Sequence, residues 1–331
     1  MTNKPVPLPA AFRPLVVIPV FDHEHAIATM VAGVVATGVP CLLVDDGSGE
    51  ACARELDRLA ALHAPQVRLL RLPVNQGKGG AMLAGFAEAA RRRHSHVLQI
   101  DADGQHDPTD IPRFVALSRQ HPDAVICGIP AYDDSVPKAR LYGRYATHIW
   151  VWINTLSLHL RDSMCGFRVY PLPPVLRLIG EETIGRRMDF DTEVMVRLYW
   201  QGLEVVQVPT KVTYPVGGFS NFRALEDNLR ISAMHTKLFF GMLWRSPMLL
   251  WRRLRGRGQQ HWSVTGERGS YWGLKLMLLG YRHGGRGLAR LLLYPVLAYF
   301  FVTGGRARAA SRDYLQRLTQ FAPDALAGGA S

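Results

Sequence analysis

Three acids follow an apolar run within seven positions, in the stretch QIDADGQHDP at residues 99–108. Asp101 and Asp103 stand two residues apart, and such a pair of carboxylates can hold one divalent cation together with a diphosphate. Hard oxygen ligands of this kind favour Mg2+ or Mn2+. Asp107 has a different explanation, because an aspartate directly before Pro108 is typical of a helix N-cap. The stretch therefore predicts a metal site followed by a capped helix.

Two further stretches have a composition that suits nucleotide binding. VDDGSGE, at residues 44–50, doubles an acid, and Asp45 or Asp46 could accept hydrogen bonds from a base or a ribose. An Asp-Gly turn with an N-cap explains part of the same pattern. NQGKGGAMLAG, at residues 75–85, brings glycines and Lys78 to the start of a helix, where a phosphate can approach the backbone. It is not a Walker A loop, since glycine follows the lysine, and a plain strand-to-helix turn is the alternative.

Alternating strands and helices are expected to position these stretches. Short apolar runs predict five strands, at residues 15–20, 40–46, 67–72, 96–101 and 123–128. Helical patterns lie between them, at residues 25–36, 50–62 and 81–93. This alternation predicts an α/β fold with a doubly wound, mostly parallel sheet. Ligands bind beyond the carboxyl ends of the strands in such sheets, so Asp45, Asp46 and Asp101 should meet at one edge.

The pattern changes beyond residue 135. The remaining expected elements are an amphipathic helix at 138–160, a compact stretch at 162–170, a helix at 189–202, two strands at 203–209 and 211–215, and a long basic and apolar helix at 223–255 that is broken or kinked near Pro247. A hinge at 256–260 precedes a final section whose longest apolar core is too short to span a membrane by itself.

Composition limits the class of partner. The 331 residues carry 39 Lys and Arg against 27 Asp and Glu, a formal net charge of +12 that suits an anionic partner. No recognised nucleic-acid motif is present, and arginine is concentrated with Trp, Phe and Leu in the last third of the chain. We therefore expect an anionic membrane surface as a partner and no nucleic acid. The four cysteines form no CxxC pair, which favours a reducing compartment.

Four motifs together, VVIPVF, VDDGS, NQGKGGA and DADGQHDP, resemble in order and spacing the family 2 glycosyltransferases of the GT-A fold. The polyprenyl-phosphate mannose synthase branch is the most similar, over residues 14–222. The resemblance implies a metal-dependent, inverting transfer of one sugar from a GDP- or UDP-linked donor to a lipid-linked acceptor. A carboxylate would assist a hydroxyl acceptor by taking its proton, whereas a phosphate acceptor needs only positioning.

The resemblance also implies a role for individual positions. The metal ligands would be Asp101, Asp103 and Gln105. The nucleotide and sugar pocket would be formed by Pro19, Phe21, Glu24, Asp45, Asp46, Gly77, Lys78, Asp101, Ala102, Gly166, Phe167 and Arg168. The catalytic candidates are Asp191 or Glu193, as a base or an orienting group, and Asp162 near the sugar. Arg140, Arg144 and Arg223 would face the diphosphate or an acceptor phosphate, although a solvated helix face is the alternative for the first two.

One loop departs from the mannose synthases. In YPVGGFSNFR, residues 214–223, Pro215 stands where those enzymes carry arginine and Asn221 where they carry lysine, with Arg223 as the candidate replacement. The identity of the acceptor therefore stays open. The chain also lacks QxxRW, the signature of processive synthases, so a single transfer is expected.

A second resemblance covers residues 261–318, from HWSVTGERGSYWGLKL onward, and is to the beginning of a lipid A-type, or lauroyl, acyltransferase. The Hx4D motif of that family does not follow, so acyl transfer is not expected, and a separate acyltransferase is a candidate partner. The combination suggests bacterial glycolipid or aryl-polyene lipid assembly at the cytoplasmic face of the inner membrane. We therefore expect a tail (1–13), a glycosyltransferase domain (14–222), a basic helical segment (223–260) and an acyltransferase-like fragment (261–331).

Other functions are compatible with parts of this pattern. A non-catalytic membrane adaptor could retain the fold, but it would have no need of the intact acids at 101 and 103. The glycosyltransferase half of a fusion that needs its acyltransferase part is another. A nucleotidyltransferase is disfavoured, because PVFDHEHA is acidic where that class needs a basic segment after the first strand.

Overall fold

The computed structural model describes residues 11–132, 138–213 and 223–256. The chain divides into two compact units, Met1–Arg255 and Gly256–Ser331. The described helices and strands lie in the first unit, except that the final helix ends at Gly256, the first residue of the second. The strands are β1 (Pro14–Val20), β2 (Cys41–Asp45), β3 (Val67–Arg71), β4 (His96–Gln99), β5 (Val125–Tyr132), β6 (Arg168–Pro171) and β7 (Val205–Val212). The helices are α1 (Glu24–Ala36), α2 (Glu50–Leu62), α3 (Lys78–Arg91), α4 (Ile111–Gln120), α5 (Lys138–Thr155), α6 (Leu172–Glu181), α7 (Phe190–Gln201) and α8 (Ala224–Gly256).

The strands form one sheet in the order β3-β2-β1-β4-β6-β5-β7. β6 runs antiparallel to β4 and β5, and the other described pairs are parallel. Leu15 and Val17 of β1 pack into one apolar cluster with α3, α6 and α7, whereas Val16 and Ile18 pack into another with α1, α2 and α4. Both faces of the sheet are covered, which is why β1 is a continuous apolar run. The prediction of an α/β fold with a mostly parallel sheet is confirmed.

The predicted cap at Asp107 is also confirmed. The amide of Thr109 donates to Asp107 Oδ1 at 2.9 Å, and Pro108 opens a short 3-10 turn that leads into α4. Proline suits this position because its missing N–H has no intrahelical acceptor there.

The structure corrects two expectations in the second half of the sheet. The two strands expected at 203–209 and 211–215 are one strand, β7, which continues through Pro209. Among the named strands it pairs with β5 alone and lies at the edge of the sheet, with one isolated bridge from Val212 to His106 on its other side. Proline is tolerated within a sheet on such an edge strand. The compact stretch at 162–170 leads into the strand β6 and then into the helix α6, and neither element was expected. Pro173 and Pro174 obscured α6 in the sequence, yet both lie in its first turn, where proline is tolerated.

Of the two expectations for Pro247, a break or a kink, the break is wrong, because α8 is a single helix that continues through Pro247. Proline cannot donate to the carbonyl of Leu243, but the Ser246 hydroxyl does so at 2.9 Å and satisfies that oxygen. One face of α8 packs on the core through Met234 and Leu238. Among the described residues, no helix is both long enough and apolar enough to cross a membrane.

Candidate functional site

The carboxyl ends of three neighbouring strands bring the predicted acids to one edge of the sheet. β2, β1 and β4 are adjacent and parallel, and Val20 at the end of β1 lies opposite Asp45. Asp46 follows β2 directly, and Asp101 follows β4 after one residue. The expectation that Asp45, Asp46 and Asp101 share this edge is confirmed.

The two acids at the end of β2 are held by hydrogen bonds from the chain itself. Asp45 Oδ1 accepts from the Ser48 amide at 2.9 Å and Oδ2 accepts from Arg71 Nε at 2.7 Å, so the predicted turn is present. Asp46 accepts from the amides of Gln76 at 2.7 Å and Gly77 at 2.8 Å. Burial raises the pKa of Asp46, and these two amides oppose the shift. Asp46 therefore fixes the glycine-rich loop to the end of β2.

A basic loop that the sequence analysis missed lies over this glycine-rich segment. The amide of Gly80 donates to the Arg186 carbonyl at 2.9 Å, and Arg186 Nη1 donates to Gln76 Oε1 at 3.3 Å. Gly77 has a φ of +85°, and a Cβ there would come 2.6 Å from the Arg186 carbonyl oxygen. The positive charge of Arg187 acts on Asp46 and lowers its pKa against the effect of burial. The signal in the sequence was the arginine pair one residue before DFDTE.

Lys78, at the start of α3, joins two acids from distant parts of the chain. Its Nζ lies 2.8 Å from Asp101 Oδ2 and 2.6 Å from Asp191 Oδ2, and its side chain is only 17% exposed. Burial lowers the pKa of Lys78, but the two carboxylates outweigh burial and hold that pKa above its ordinary value. The side chain predicted to approach a phosphate therefore bridges the acid after β4 and the acid at the start of α7.

Asp191 is held from beneath by buried residues of the sheet. Gln99 Nε2 donates to Asp191 Oδ1 at 3.0 Å, and Arg168 Nη1 donates to the Asp191 carbonyl at 2.7 Å. Gln99 and Arg168 are register partners in β4 and β6, and both are fully buried. Arg168, predicted to line the sugar pocket, thus lies under it and positions Asp191. Gly166 stands beside Asp101, and a Cβ there would come 2.0 Å from Asp101 Oδ2.

Asp101 and Asp103 have the features that a divalent cation requires. Asp101 Oδ1 is buried, and no donor among the described residues reaches it in hydrogen-bonding geometry. Burial raises the pKa of Asp103, and the neighbouring negative charge of Asp101 raises it further. The two carboxylates therefore repel each other. The Gln105 amide donates to Asp103 Oδ1 at 3.0 Å, which fixes the turn between them.

Within the described part of the chain, no group of three or more His, Cys, Asp and Glu side chains is arranged to hold a metal ion. A complete protein cage is not required here, since Mg2+ is commonly held by one or two carboxylates together with substrate phosphates and water. Asp101 and Asp103, with one unsatisfied carboxylate oxygen, fit that kind of site.

Glu193 and Asp162 make contacts of another kind. Glu193 accepts from the Gly185 amide at 2.7 Å and from Arg197 Nε at 2.9 Å. Asp162 Oδ1 accepts from two amides of the turn that follows it, and Asp162 Oδ2 accepts from Arg144 Nε at 2.7 Å. Of the three predicted catalytic acids, the structure brings Asp191 to Lys78 and Asp101, and it gives the other two scaffold contacts.

The other predicted pocket residues lie at or just after the ends of β1 and β4 and before the start of β6. Pro19 is buried in β1, and Phe21 and Glu24 lie between the end of β1 and the first turn of α1. Ala102 is buried between Asp101 and Asp103 in the sequence, and Phe167 is buried directly before β6.

Of the predicted phosphate ligands, Arg144 is paired with Asp162, and Arg223 Nη1 lies 3.3 Å from Glu226 Oε2 at an exposed position. The side chain of Arg140, the loop at 214–222 and the acyltransferase-like stretch at 261–318 lie outside the described residues.

Comparison with known proteins agrees with this fold. Residues 15–176 match the family described as "Glycosyl transferase family 2". The chain is 27% identical over 224 residues to polyprenol monophosphomannose synthase of Mycolicibacterium smegmatis, an alignment that covers 62% of this chain and 80% of the relative. It is 29% identical over 204 residues to undecaprenyl-phosphate mannosyltransferase of Micrococcus luteus, covering 60% of this chain and 82% of the relative.

The fold is also similar to a solved structure. Glucosyl-3-phosphoglycerate synthase of Mycobacterium tuberculosis, in complex with Mn2+, uridine diphosphate and phosphoglyceric acid, aligns with a TM-score of 0.53 at 15% identity. The alignment covers 70% of this chain and 79% of that chain. At this identity the likeness concerns the fold alone.

Proposed function

We propose that this chain, which belongs to glycosyl transferase family 2, transfers one sugar with inversion from a nucleotide-diphosphate sugar to a lipid-linked acceptor. The reaction would require Mg2+ or Mn2+ as the bound cation. The observation that carries the proposal is the cluster of Asp101, Lys78 and Asp191 at the carboxyl edge of the sheet. In this cluster a carboxylate that could bind the metal and a candidate base both contact the Lys78 ammonium group, at the edge where ligands bind in such sheets.

The donor side of the proposal uses the residues after β2 and β4. Asp101 and Asp103 would hold the cation together with the donor diphosphate, and the ion would neutralise charge on the departing diphosphate. Asp46 and Gly77 form the wall on which the nucleoside would lie, and Arg187 adds a positive charge beside them.

The acceptor side uses Asp191. Gln99 orients its carboxylate and Arg168 holds its backbone carbonyl, so the carboxylate could receive the proton of an attacking hydroxyl or orient an acceptor that is already ionised. The names of the two mannosyl-transferring relatives, which specify polyprenol and undecaprenyl phosphate, support a lipid-linked acceptor.

A surface on α8 supports work at an anionic membrane. Large apolar side chains recur at helical spacing on the face opposite the core and are exposed: Leu225, Leu229, Phe240, Leu243, Trp244 and Trp251. Trp244 is 86% exposed. Arg230 and Lys237 are exposed on the same helix. An aromatic stripe with basic residues beside it suits a helix lying in the interface of an anionic bilayer. We place the protein peripherally at the cytoplasmic face of the inner membrane.

The resemblance of residues 261–318 to acyltransferases extends the proposal to bacterial glycolipid or aryl-polyene lipid assembly, with a separate acyltransferase as a partner. A non-catalytic membrane adaptor is the alternative that the first experiment must exclude.

Donor binding tests the reaction. UDP- and GDP-sugars are titrated by calorimetry into the wild type and Asp103→Ala, with and without Mn2+. We expect tight binding of one donor that requires Mn2+ and is lost in the variant, while circular dichroism stays unchanged. A folded wild type that binds neither donor would reject the transferase and favour the adaptor.

Vesicle binding tests the membrane surface. The Phe240→Ser/Trp244→Ser double variant should bind vesicles of phosphatidylglycerol and phosphatidylethanolamine roughly tenfold more weakly than wild type, since two exposed aromatic anchors are lost. Leu62→Ser is the matched control, because Leu62 is 62% exposed on α2. Equal binding by all three proteins would reject α8 as the docking surface.

A further inference from the structure

We propose that Lys78 and the divalent cation compete for Asp101, so that the ammonium group must leave this carboxylate when the metal binds together with the donor. The inference rests on the proposed function, because it presumes a metal at Asp101 and Asp103. It assigns Lys78 a role in coupling metal binding to donor binding, beyond a contact with phosphate.

The position of the ammonium group is the first argument. Lys78 Nζ lies 2.8 Å from Asp101 Oδ2 and 2.6 Å from Asp191 Oδ2. A metal ion held by Asp101 would share that carboxylate with Nζ, and two cations sharing one carboxylate repel each other strongly in a buried site. The Asp101 carboxylate can therefore pair closely with either the metal ion or the Lys78 ammonium group, but not with both at once.

The charge balance is the second argument. Asp101, Asp103 and Asp191 bring three carboxylates to this edge, and Lys78 is the lysine that contacts two of them. Arg168 approaches Asp191 at 3.9 Å and is already bound to backbone carbonyls and Tyr170. Buried carboxylates without a partner are costly, so Lys78 stabilises the arrangement that the metal would otherwise stabilise.

The freedom of the side chain is the third argument. The backbone around Lys78 is fixed, because the Gly77 amide donates to Asp46 and the Gly80 amide donates to the Arg186 carbonyl. A lysine side chain has a flexible four-carbon stem, so Nζ can move while the loop stays in place. Once displaced, it can keep Asp191 and gain an oxygen of the donor diphosphate. Metal and donor should then bind with positive coupling that depends on Lys78.

Mn2+ affinity tests the exchange without any turnover. Free Mn2+ is measured by electron paramagnetic resonance in titrations of wild type, Lys78→Gln and Lys237→Gln, with and without UDP or GDP. Lys237→Gln is the matched control, because Lys237 also contacts an acid of α7, Glu193, at 3.2 Å. Without nucleotide, Lys78→Gln should bind Mn2+ about tenfold more tightly than wild type, which corresponds to about 1.4 kcal/mol. Lys237→Gln should match wild type.

The nucleotide titrations give the second readout. The nucleotide should tighten Mn2+ binding in wild type by a larger factor than in Lys78→Gln, because the variant has no lysine to displace. Unchanged or weaker Mn2+ binding in Lys78→Gln would overturn the exchange. Absence of Mn2+ binding in every protein, with nucleotide present, would instead reject the proposed metal dependence. If Lys78→Gln does not fold, Lys78→Met replaces it, with the same outcomes.

Discussion

Two acids at the start of α7 serve two different neighbourhoods. Asp191 meets Lys78 and Arg168 at the carboxyl edge of the sheet, whereas Glu193 meets Lys237 and Arg197 on the side of α8. Residues two apart on a helix project about 200° apart, which is why one short motif, DFDTE, reaches both sides. Each acid therefore has one lysine and one arginine as neighbours, but these residues have different roles around the two acids.

The difference lies in what holds the carboxylates. Glu193 is bound by a backbone amide, by Arg197 and by Lys237. These two side chains are also bound to Glu182 at 3.0 Å and to the Thr183 carbonyl at 2.8 Å, respectively. Asp191 is bound by two side-chain donors, of which Lys78 is shared with Asp101. Donors fixed in the scaffold make Glu193 structural, whereas a shared, movable donor leaves Asp191 available to a ligand.

The largest expected effect is that of Asp191→Asn on turnover. The amide cannot take the proton of a hydroxyl acceptor, so kcat should fall about 1,000-fold, equivalent to about 4 kcal/mol in the barrier. Glu193→Gln, measured in the same single-turnover assay and corrected for the folded fraction, should stay within about threefold of wild type.

Two results would break this distinction. Equal losses in Asp191→Asn and Glu193→Gln would mean that both acids act on the reaction. A loss smaller than about tenfold in a normally folded Asp191→Asn would remove the base and point to a phosphate acceptor, which needs only positioning.

The second expected effect concerns stability and is the reverse of the first. Glu193→Gln removes the charge that faces Arg197, whose side chain is only 5% exposed, and should lower the free energy of unfolding by about 3 kcal/mol. Urea unfolding of Asp191→Asn and Glu193→Gln side by side measures it. Greater destabilisation in Asp191→Asn would contradict the assignment of Glu193 to the scaffold.

The same contrast shows which parts of the site the sequence could reveal. Asp45, Asp46 and Asp101 each follow a short apolar run, so local pattern and the rule for parallel sheets were enough to place them at one edge. The cap at Asp107 could be predicted in the same way, since a helix cap depends on residues that are adjacent in the sequence. The neighbouring sequence could not show which of Asp191 and Glu193 lies at the site, because that depends on how α7 is rotated against α3 and α8.

The antiparallel insertion and the basic loop were hidden for the same reason. β6 is short, and it is a strand because β4 and β5 lie on either side of it, which no window of the sequence contains. The position of Arg186 and Arg187 at the site depends on how the loop before α7 packs on the glycine-rich segment, which is distant in sequence. Pairings across the sheet supply the information that periodicity lacks.

The smallest expected effect tests the α8 side by pH. His235 on α8 is buried, its Nδ1 lies 3.3 Å from Asn154 Nδ2, and burial lowers its pKa to about 4. The unfolded chain therefore takes up the proton first, so the stability is complete above about pH 6.5 and is lost as pH falls towards 4. Wild type should lose about 2 kcal/mol between pH 8 and pH 5 that His235→Gln keeps. The control is His25→Gln, whose side chain is 89% exposed. Equal pH slopes in urea unfolding for wild type and His235→Gln would show that the loss of stability in acid arises elsewhere and not where His235 of α8 meets Asn154 of α5.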